Sequence, residues 1–323
     1  MKKTWQLLLT SILAVFLLTA CGTTAAPEKP AVDDTSKEET PVVVVEEAFP
    51  VTLTDAADNE ITIETAPATI ISLVPSNTEI LFELGLANEV VAVTDNDDFP
   101  AEASEKESIG GFELNIEKII SMNPEMVFAH EIAVGTGEGI QQIRDAGIPV
   151  FIVKDAKNFE ETYATIEIIG KATGKTEEAD KIIAEMKAKV DEVVAKVAKV
   201  EEKKTVFIET SPAPDIYTPG KNTFTQQMMD LIGADNIATE DGWFVMSPEE
   251  IVKQNPDVIL VMYSYIETAV EDVYARDGFD TITAIKNKEV VQVDENITSR
   301  QGPRLADGLE AFAKAVYPEV FGE

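Results

Sequence analysis

Apolar positions along this chain come in two rhythms. Residues 49–63 alternate apolar and polar side chains around a polar centre at 55–60, which predicts a hairpin. Residues 68–74 are almost wholly apolar, as a buried strand is. Pro75-Ser76-Asn77 then turns the chain into a helix whose apolar face is Ile80, Leu81, Leu84 and Leu86. Ser76 or Asn77 is the expected cap of that helix, with Glu79 in its first turn. Strands are predicted at 89–93, 126–130 and 148–153, with a short element before Ile109, a helix from about Asn115 and another over 139–146. Strands and helices alternating at this spacing predict a three-layer α/β lobe with a parallel sheet over 49–158.

Residues 159–201 differ in kind. Apart from Gly170 and Gly174 they lack strong breakers, and 177–200 is dense in Ala, Glu, Lys and Met. The expectation is one long helix, about 36 Å if 24 residues are helical, joining two lobes. The strand–helix rhythm restarts at once. It predicts a strand over 205–209, a loop over 210–222, a helix over 223–231, a loop over 239–246 and a strand over 258–262. A polar helix over 268–276, a strand over 290–293 and a last helix over 304–317 complete a second α/β lobe, 202–323. Two such sheets joined by a rigid connector make a cleft, because open α/β sheets take ligands at the carboxyl ends of their strands.

A repeat supports the two-lobe reading. Glu117-Lys118-Ile119-Ile120-Ser121-Met122-Asn123-Pro124-Glu125 is echoed by Glu249-Glu250-Ile251-Val252-Lys253-Gln254-Asn255-Pro256-Asp257. In each copy a helix is stopped by Asn-Pro, since proline restricts the residue before it, and a buried strand follows. Gly85 and Gly233 form a second echo, each at the end of a helical run.

The ends and the charge narrow the class. Lys2-Lys3, an apolar run over 7–18 and Leu18-Thr19-Ala20-Cys21 predict a signal peptide over 1–20. Cys21, the one cysteine, stands where a bacterial lipobox has its lipidated residue, so no intrachain disulfide is available and the folded part is expected outside the cell membrane, anchored through Cys21. Residues 21–48 have the composition of a flexible tether. With 59 Asp and Glu against 26 Lys and Arg, the formal net charge is −33, which opposes nucleic-acid and anionic-lipid binding.

The chemistry is notable for what the residues do not assemble. His130 is the one histidine, and no Gly-x-Gly-x-x-Gly, phosphate-loop lysine or Gly-x-Ser-x-Gly motif occurs. No intrinsic metal or cofactor is expected. Paired carboxylates abound without one pair standing out, so an exported hydrolase is the rival class and a non-enzymatic binder the leading one. The candidate ligand-binding residues lie in strand-end loops: Ser76, Asn77, Asn96, Phe112, His130, Tyr217, Lys221, Trp243, Phe244, Tyr263, Arg300 and Arg304. Phe112, Trp243 and Phe244 offer large rigid apolar surface. Arg300 and Arg304 are read either as partners of ligand carboxylates or amide carbonyls, or as anchors of the last helix to a nearby acid.

Several motifs in order resemble the substrate-binding lipoproteins of bacterial ABC importers for iron–siderophores, haem and vitamin B12. They are Ile71-Ser72-Leu73-Val74-Pro75-Ser76-Asn77-Thr78-Glu79, Val93-Thr94-Asp95 through Phe99-Pro100, Gly110-Gly111-Phe112, Tyr217-Thr218-Pro219-Gly220-Lys221, Ser247-Pro248-Glu249-Glu250 and Gly302-Pro303-Arg304-Leu305. The resemblance implies two lobes joined by one long helix, a ligand held between them, and a monomer that docks on a membrane permease dimer with its ATPases. It places the permease-docking glutamates at Glu117 and Glu249, the pair that opens the repeat. Trp243 matches a pocket tryptophan of cobalamin-binding members, whereas Asn96 and Gly111-Phe112 depart from their aromatic pattern. The implied cargo is a pre-chelated cobalt corrinoid, with a ferric siderophore or haem as the alternative.

Overall fold

The computed structural model describes residues 49–132 and 137–322. The expected signal peptide, Cys21 and the tether lie outside the described residues. A two-stranded antiparallel hairpin, β1 (Val51–Thr54) and β2 (Glu60–Ile63), opens the chain. Asp55 at its turn accepts the Ala57 and Asn59 N–H groups at 2.9 Å, so the turn is closed by one buried carboxylate.

The first lobe is built on β3 (Ile70–Ser72), β4 (Val90–Val93), β5 (Glu107–Ser108), β6 (Met126–His130) and β7 (Val150–Val153). They form an all-parallel sheet in the order β5-β4-β3-β6-β7. β6 and β7 are buried at every position, as strands covered on both faces must be. Helices α1 (Pro75–Glu83), α2 (Ile116–Met122) and α3 (Gly137–Asp145) serve this sheet. The predicted cap of α1 needs correction: Val74 is the N-cap and no side chain caps the helix. Pro75 takes the first helical position, where its fixed φ suits the helix and no N–H needs a partner. Ser76, Asn77 and Glu79 therefore sit two or three positions further into the helix than a cap at Ser76 or Asn77 implies, and Glu79 lies beyond the first turn.

The long helical stretch is two helices. α4 (Phe159–Thr173) is capped by the Asn158 side chain on the Glu161 N–H and stops at Gly174, φ 72°. α5 (Thr176–Val197) then runs 22 residues, about 33 Å at 1.5 Å per residue, and joins the lobes.

The second lobe carries β8 (Thr205–Glu209), β10 (Asp235–Asn236), β12 (Val258–Val261) and β13 (Val290–Gln292) as a parallel sheet in the order β10-β8-β12-β13. The segments predicted as the loops 210–222 and 239–246 instead supply β9 (Tyr217–Pro219) and β11 (Trp243–Val245), which pair antiparallel with Trp243 opposite Pro219. Three-residue strands are too short to show a period of two. Helices α6 (Phe224–Ile232), α7 (Pro248–Gln254), α8 (Ala269–Ala275), α9 (Thr283–Asn287), α10 (Glu295–Ser299) and α11 (Leu305–Val316) complete the lobe.

The repeat is physical. α2 and α7 are each seven residues long, capped by Asn115 on the Lys118 N–H (3.0 Å) and by Ser247 on the Glu250 N–H (3.3 Å). Both end on an asparagine in the left-handed region, Asn123 at φ 47° and Asn255 at φ 50°, which asparagine tolerates and the following proline favours by disallowing helix. The acidic residues that follow do the same job twice through their backbone N–H groups. The Glu125 N–H donates to Thr69 Oγ1 (3.0 Å) and the Asp257 N–H to Thr205 Oγ1 (3.1 Å), tying the start of one central strand to its neighbour in each sheet.

Each lobe has a small core of its own, around Ile71, Val127 and Ile152 in the first and Phe207, Ile259 and Phe279 in the second. The largest apolar cluster belongs to both. It runs from Ile70, Leu81 and Phe128 through Phe159, Ile166 and Met186 on α4 and α5 to Val206, Leu260 and Phe312. Burial of each such side chain is worth about 1.5–3 kcal/mol, so the lobes are fused behind the cleft as well as linked.

Candidate ligand cleft

Parallel strands in both lobes end at the cleft, and the loops beyond them carry the chemistry. Across the cleft floor, residues 296–304 of the second lobe grip the first. Arg300 donates to Glu79 (3.0 Å), to Asp98 (2.5 Å) and to the Asn96 carbonyl (3.3 Å). Arg304 makes a two-point contact with the same Glu79 carboxylate, at 2.9 and 2.6 Å, and its guanidinium lies 3.7 Å from the centre of the Phe99 ring. Asn296 adds a bond to Asp98 (3.1 Å), and Gln301 one to Asp155 (3.1 Å). Of the two roles open to the arginines, the structure shows the anchoring one: both are spent on a buried glutamate of the opposite lobe. Although burial opposes it, the Arg300 hydrogen bond and charge hold the Asp98 carboxyl below its ordinary range. Asp97 beside it is pushed up by burial, and its carboxylate accepts from the Thr94 N–H (2.8 Å) and hydroxyl (2.5 Å).

Above this floor lies a cavity of about 400 Å³ walled from both lobes, by Ile132, Asp155 and Lys157 on one side and Phe224, Trp243 and Gln301 on the other. Large apolar side chains stand exposed: Phe112 (99 %) and Tyr265 on strand-end loops, Tyr217 on β9 and Trp243 (54 %) on β11. Phe112 is pushed out by a tight turn at Gly110, φ 95°, where a Cβ would lie 2.4 Å from the Glu113 carbonyl oxygen. Only glycine fits there.

The remaining candidates separate cleanly. Asn96 and Lys221 are exposed on their loops, and Ser76 is half-buried, its carbonyl facing Gly302. Asn77 is fully buried and donates to the Ala129 carbonyl at 3.0 Å, fastening α1 to the end of β6. Phe244 is half-buried against the second-lobe core and over Gly220. Tyr263 is also buried. Its hydroxyl donates to Glu209 (2.9 Å), which Arg276 holds at 2.7 and 2.8 Å, and burial followed by the Glu209 charge pushes its pKa well up. Tyr263 stacks beside Tyr265, ring centres 5.3 Å apart, so the inner ring props the exposed one. Sequence reasoning passed over Tyr265, Ile132, Asp155 and Gln301. The available signal for the first two was a large apolar side chain shortly past the end of a central strand, two residues beyond β6 for Ile132 and four beyond β12 for Tyr265.

His130 is buried at the end of β6, with Nδ1 accepting the Ile132 N–H at 3.3 Å. Burial lowers its pKa below the usual 6.5, outweighing the Asp155 charge and the Gln301 contact. As the one histidine it gives one imidazole signal set in NMR, expected to titrate with a midpoint below 6.5. A folded pKa below the unfolded one means that this group's contribution to stability is complete above pH 6.5 and lost as pH falls through the folded value. A midpoint at or above 6.5 would place the ring in water.

Among the described residues no group of three or more His, Cys, Asp or Glu is arranged to hold a metal ion, and no helix is long and apolar enough to cross a membrane. Glu117 and Glu249 are exposed, each at the second position of its helix. A helix that feeds a parallel strand runs against it, so both glutamates lie at the carboxyl edges of their sheets, as the cleft does.

Residues 70–297 match the family described as periplasmic binding protein. An uncharacterized ABC transporter substrate-binding lipoprotein of Bacillus subtilis is 42 % identical over the whole of both chains. A cobalamin-binding protein of Halobacterium salinarum is 28 % identical over 84 % of this chain and 75 % of its own. A crystal structure of a possible iron-binding (periplasmic solute-binding) protein from Staphylococcus epidermidis superposes with a TM-score of 0.72 at 36 % identity, covering 78 % of this chain and all of the other.

Proposed function

This chain belongs to the periplasmic binding protein family, a non-catalytic component of transport, and from that premise we propose that it is the receptor of an ABC importer that captures a cobalt corrinoid between its lobes. One observation supports the reading most: a cavity of about 400 Å³ walled by both lobes, with Trp243 in its lining and further exposed rings on the neighbouring loops. A large ring system with apolar faces is what such a site desolvates well. The cobalt arrives already chelated, so the protein contributes shape and hydrogen bonds and no ligand cluster. On this reading Cys21 carries the lipid that holds the receptor at the membrane, residues 21–48 are its tether, and Glu117 and Glu249 meet a permease dimer. A ferric siderophore or haem is the second reading, supported by the Staphylococcus epidermidis relative described as possibly iron-binding.

Titrating the protein with cyanocobalamin, followed by the absorbance of the ligand, is expected to give submicromolar affinity. Binding of ferric chelates or haem in its place would favour the second reading. Trp5 and Trp243 are the two tryptophans, so in a chain lacking 1–20 the intrinsic fluorescence reports on Trp243 alone and should be quenched by the corrin. Trp243→Ala removes a central aromatic contact and is expected to weaken binding about 30-fold, equivalent to about 2 kcal/mol. Unchanged affinity by calorimetry would exclude Trp243 from the pocket.

A further inference from the structure

The chain has four arginines, all among the described residues, and each is bound to a carboxylate of the chain itself. Arg144 is held by Asp55, Arg276 by Glu209, and Arg300 and Arg304 by Glu79. The carboxylate side chains are at most 2 % exposed and the arginine side chains at most 25 %. Arginine is the side chain that recognises carboxylate and phosphate by two parallel hydrogen bonds. Here that capacity is consumed inside the fold, twice at the floor of the cleft.

The lysines nearby do not replace it. Lys157 is paired with Asp155, and Lys154 with Glu161. Lys221 is exposed, and its backbone, not its ammonium, pairs with Glu240 and Asp241; it is a point charge beside two acidic neighbours and lacks arginine's two-point grip. Asp95, Asp98, Glu113 and Glu131 occupy the same strand-end loops, on a chain of net charge −33. An anionic cargo would enter a negative field and leave its charge unpaired against aromatic walls, which costs affinity on both counts.

We infer that the cleft selects its cargo by charge: it accepts large ring complexes whose periphery is amide or otherwise uncharged, or that carry net positive charge, and rejects those edged with carboxylates. This deepens the corrinoid reading and rests on it. It also separates the rivals, since a ring bearing free carboxylates, or a ferric complex with net negative charge, is disfavoured by the same groups.

The test uses two corrinoids with one ring and one metal. Dicyanocobinamide carries amides at its edge, and dicyanocobyrinic acid carries carboxylates. Calorimetric titration of the full mature chain in 20 mM NaCl is expected to give at least a 100-fold preference for the amide form, shrinking severalfold in 500 mM NaCl as the field is screened. Asp98→Asn, which releases Arg300 from one of its two carboxylates, is expected to narrow the preference severalfold. Equal affinities for the two would overturn the charge selection while leaving the cleft as a corrinoid site. A preference insensitive to both salt and Asp98→Asn would overturn it too. Failure of cobinamide and cyanocobalamin alike to bind would remove the corrinoid reading itself, and this inference with it.

Discussion

Glu79→Gln is expected to destabilise the protein by about 3–5 kcal/mol, because it leaves Arg304 partly buried with a neutral partner and Arg300 with the exposed Asp98 carboxylate alone. The substitution keeps size and shape, so the loss is electrostatic and not a cavity. It also cuts the tie between α1 and the segment that leads into α11, residues more than 200 apart in the chain. Urea unfolding of the variant should show the midpoint falling in proportion, with the slope preserved if both states stay as compact. Asp98→Asn is the control. Its side chain is 58 % exposed, so removal of that charge should cost no more than about 1 kcal/mol. Similar small losses for both variants would mean that water reaches Glu79, contrary to its burial.

Reversing both Glu117 and Glu249 to lysine is expected to abolish uptake by cells while leaving ligand affinity within about twofold. Each glutamate is exposed at the second position of a seven-residue helix, and neither lines the cavity. The folding penalty is small, about 0.3–1 kcal/mol per site from the lost helix-terminus interaction. What changes is the surface offered to a partner. Two matched helix ends, each carrying one carboxylate, suit a dimeric permease with one cationic group on each subunit, and a reversed charge at such a contact costs several kcal/mol. The single reversals should each weaken uptake and the double should eliminate it. Normal uptake by the double variant would assign the docking surface elsewhere.

How much of this was legible beforehand depended on whether the cause was local. Asn-Pro stops a helix by chemistry within two residues, so the ends of α2 and α7 and the equivalence of Glu117 with Glu249 were readable from spacing alone. The strands β6, β8 and β12 were readable for a similar reason, being short apolar runs between breakers. The arginines were not. Which of 59 acidic residues Arg304 meets is set by how the second lobe folds back on α1, and sequence distance carries no trace of it. Tyr263 and Tyr265 show a related limit. Both follow β12 with the same parity, yet the chain has already left the strand at Val261, so parity no longer fixes the face: one is buried on Glu209 and the other faces water. Asn77 has the side chain of a cap, but Pro75 draws the helix start back to itself, so Asn77 falls inside the first turn and becomes an internal fastening.

The shared apolar cluster has a consequence for how cargo leaves. Swinging the lobes apart as whole bodies would have to drag Phe159, Ile166, Met186 and Phe312 out of one another's company, and water would flood in behind. Thermal agitation does not supply that work, so a loaded receptor idles shut-backed, like a book glued along its spine. On the docking proposed for Glu117 and Glu249, discharge would then come from prying at the page edges, where short strand-end loops yield cheaply and the two acidic helix tips would be a transporter's handholds.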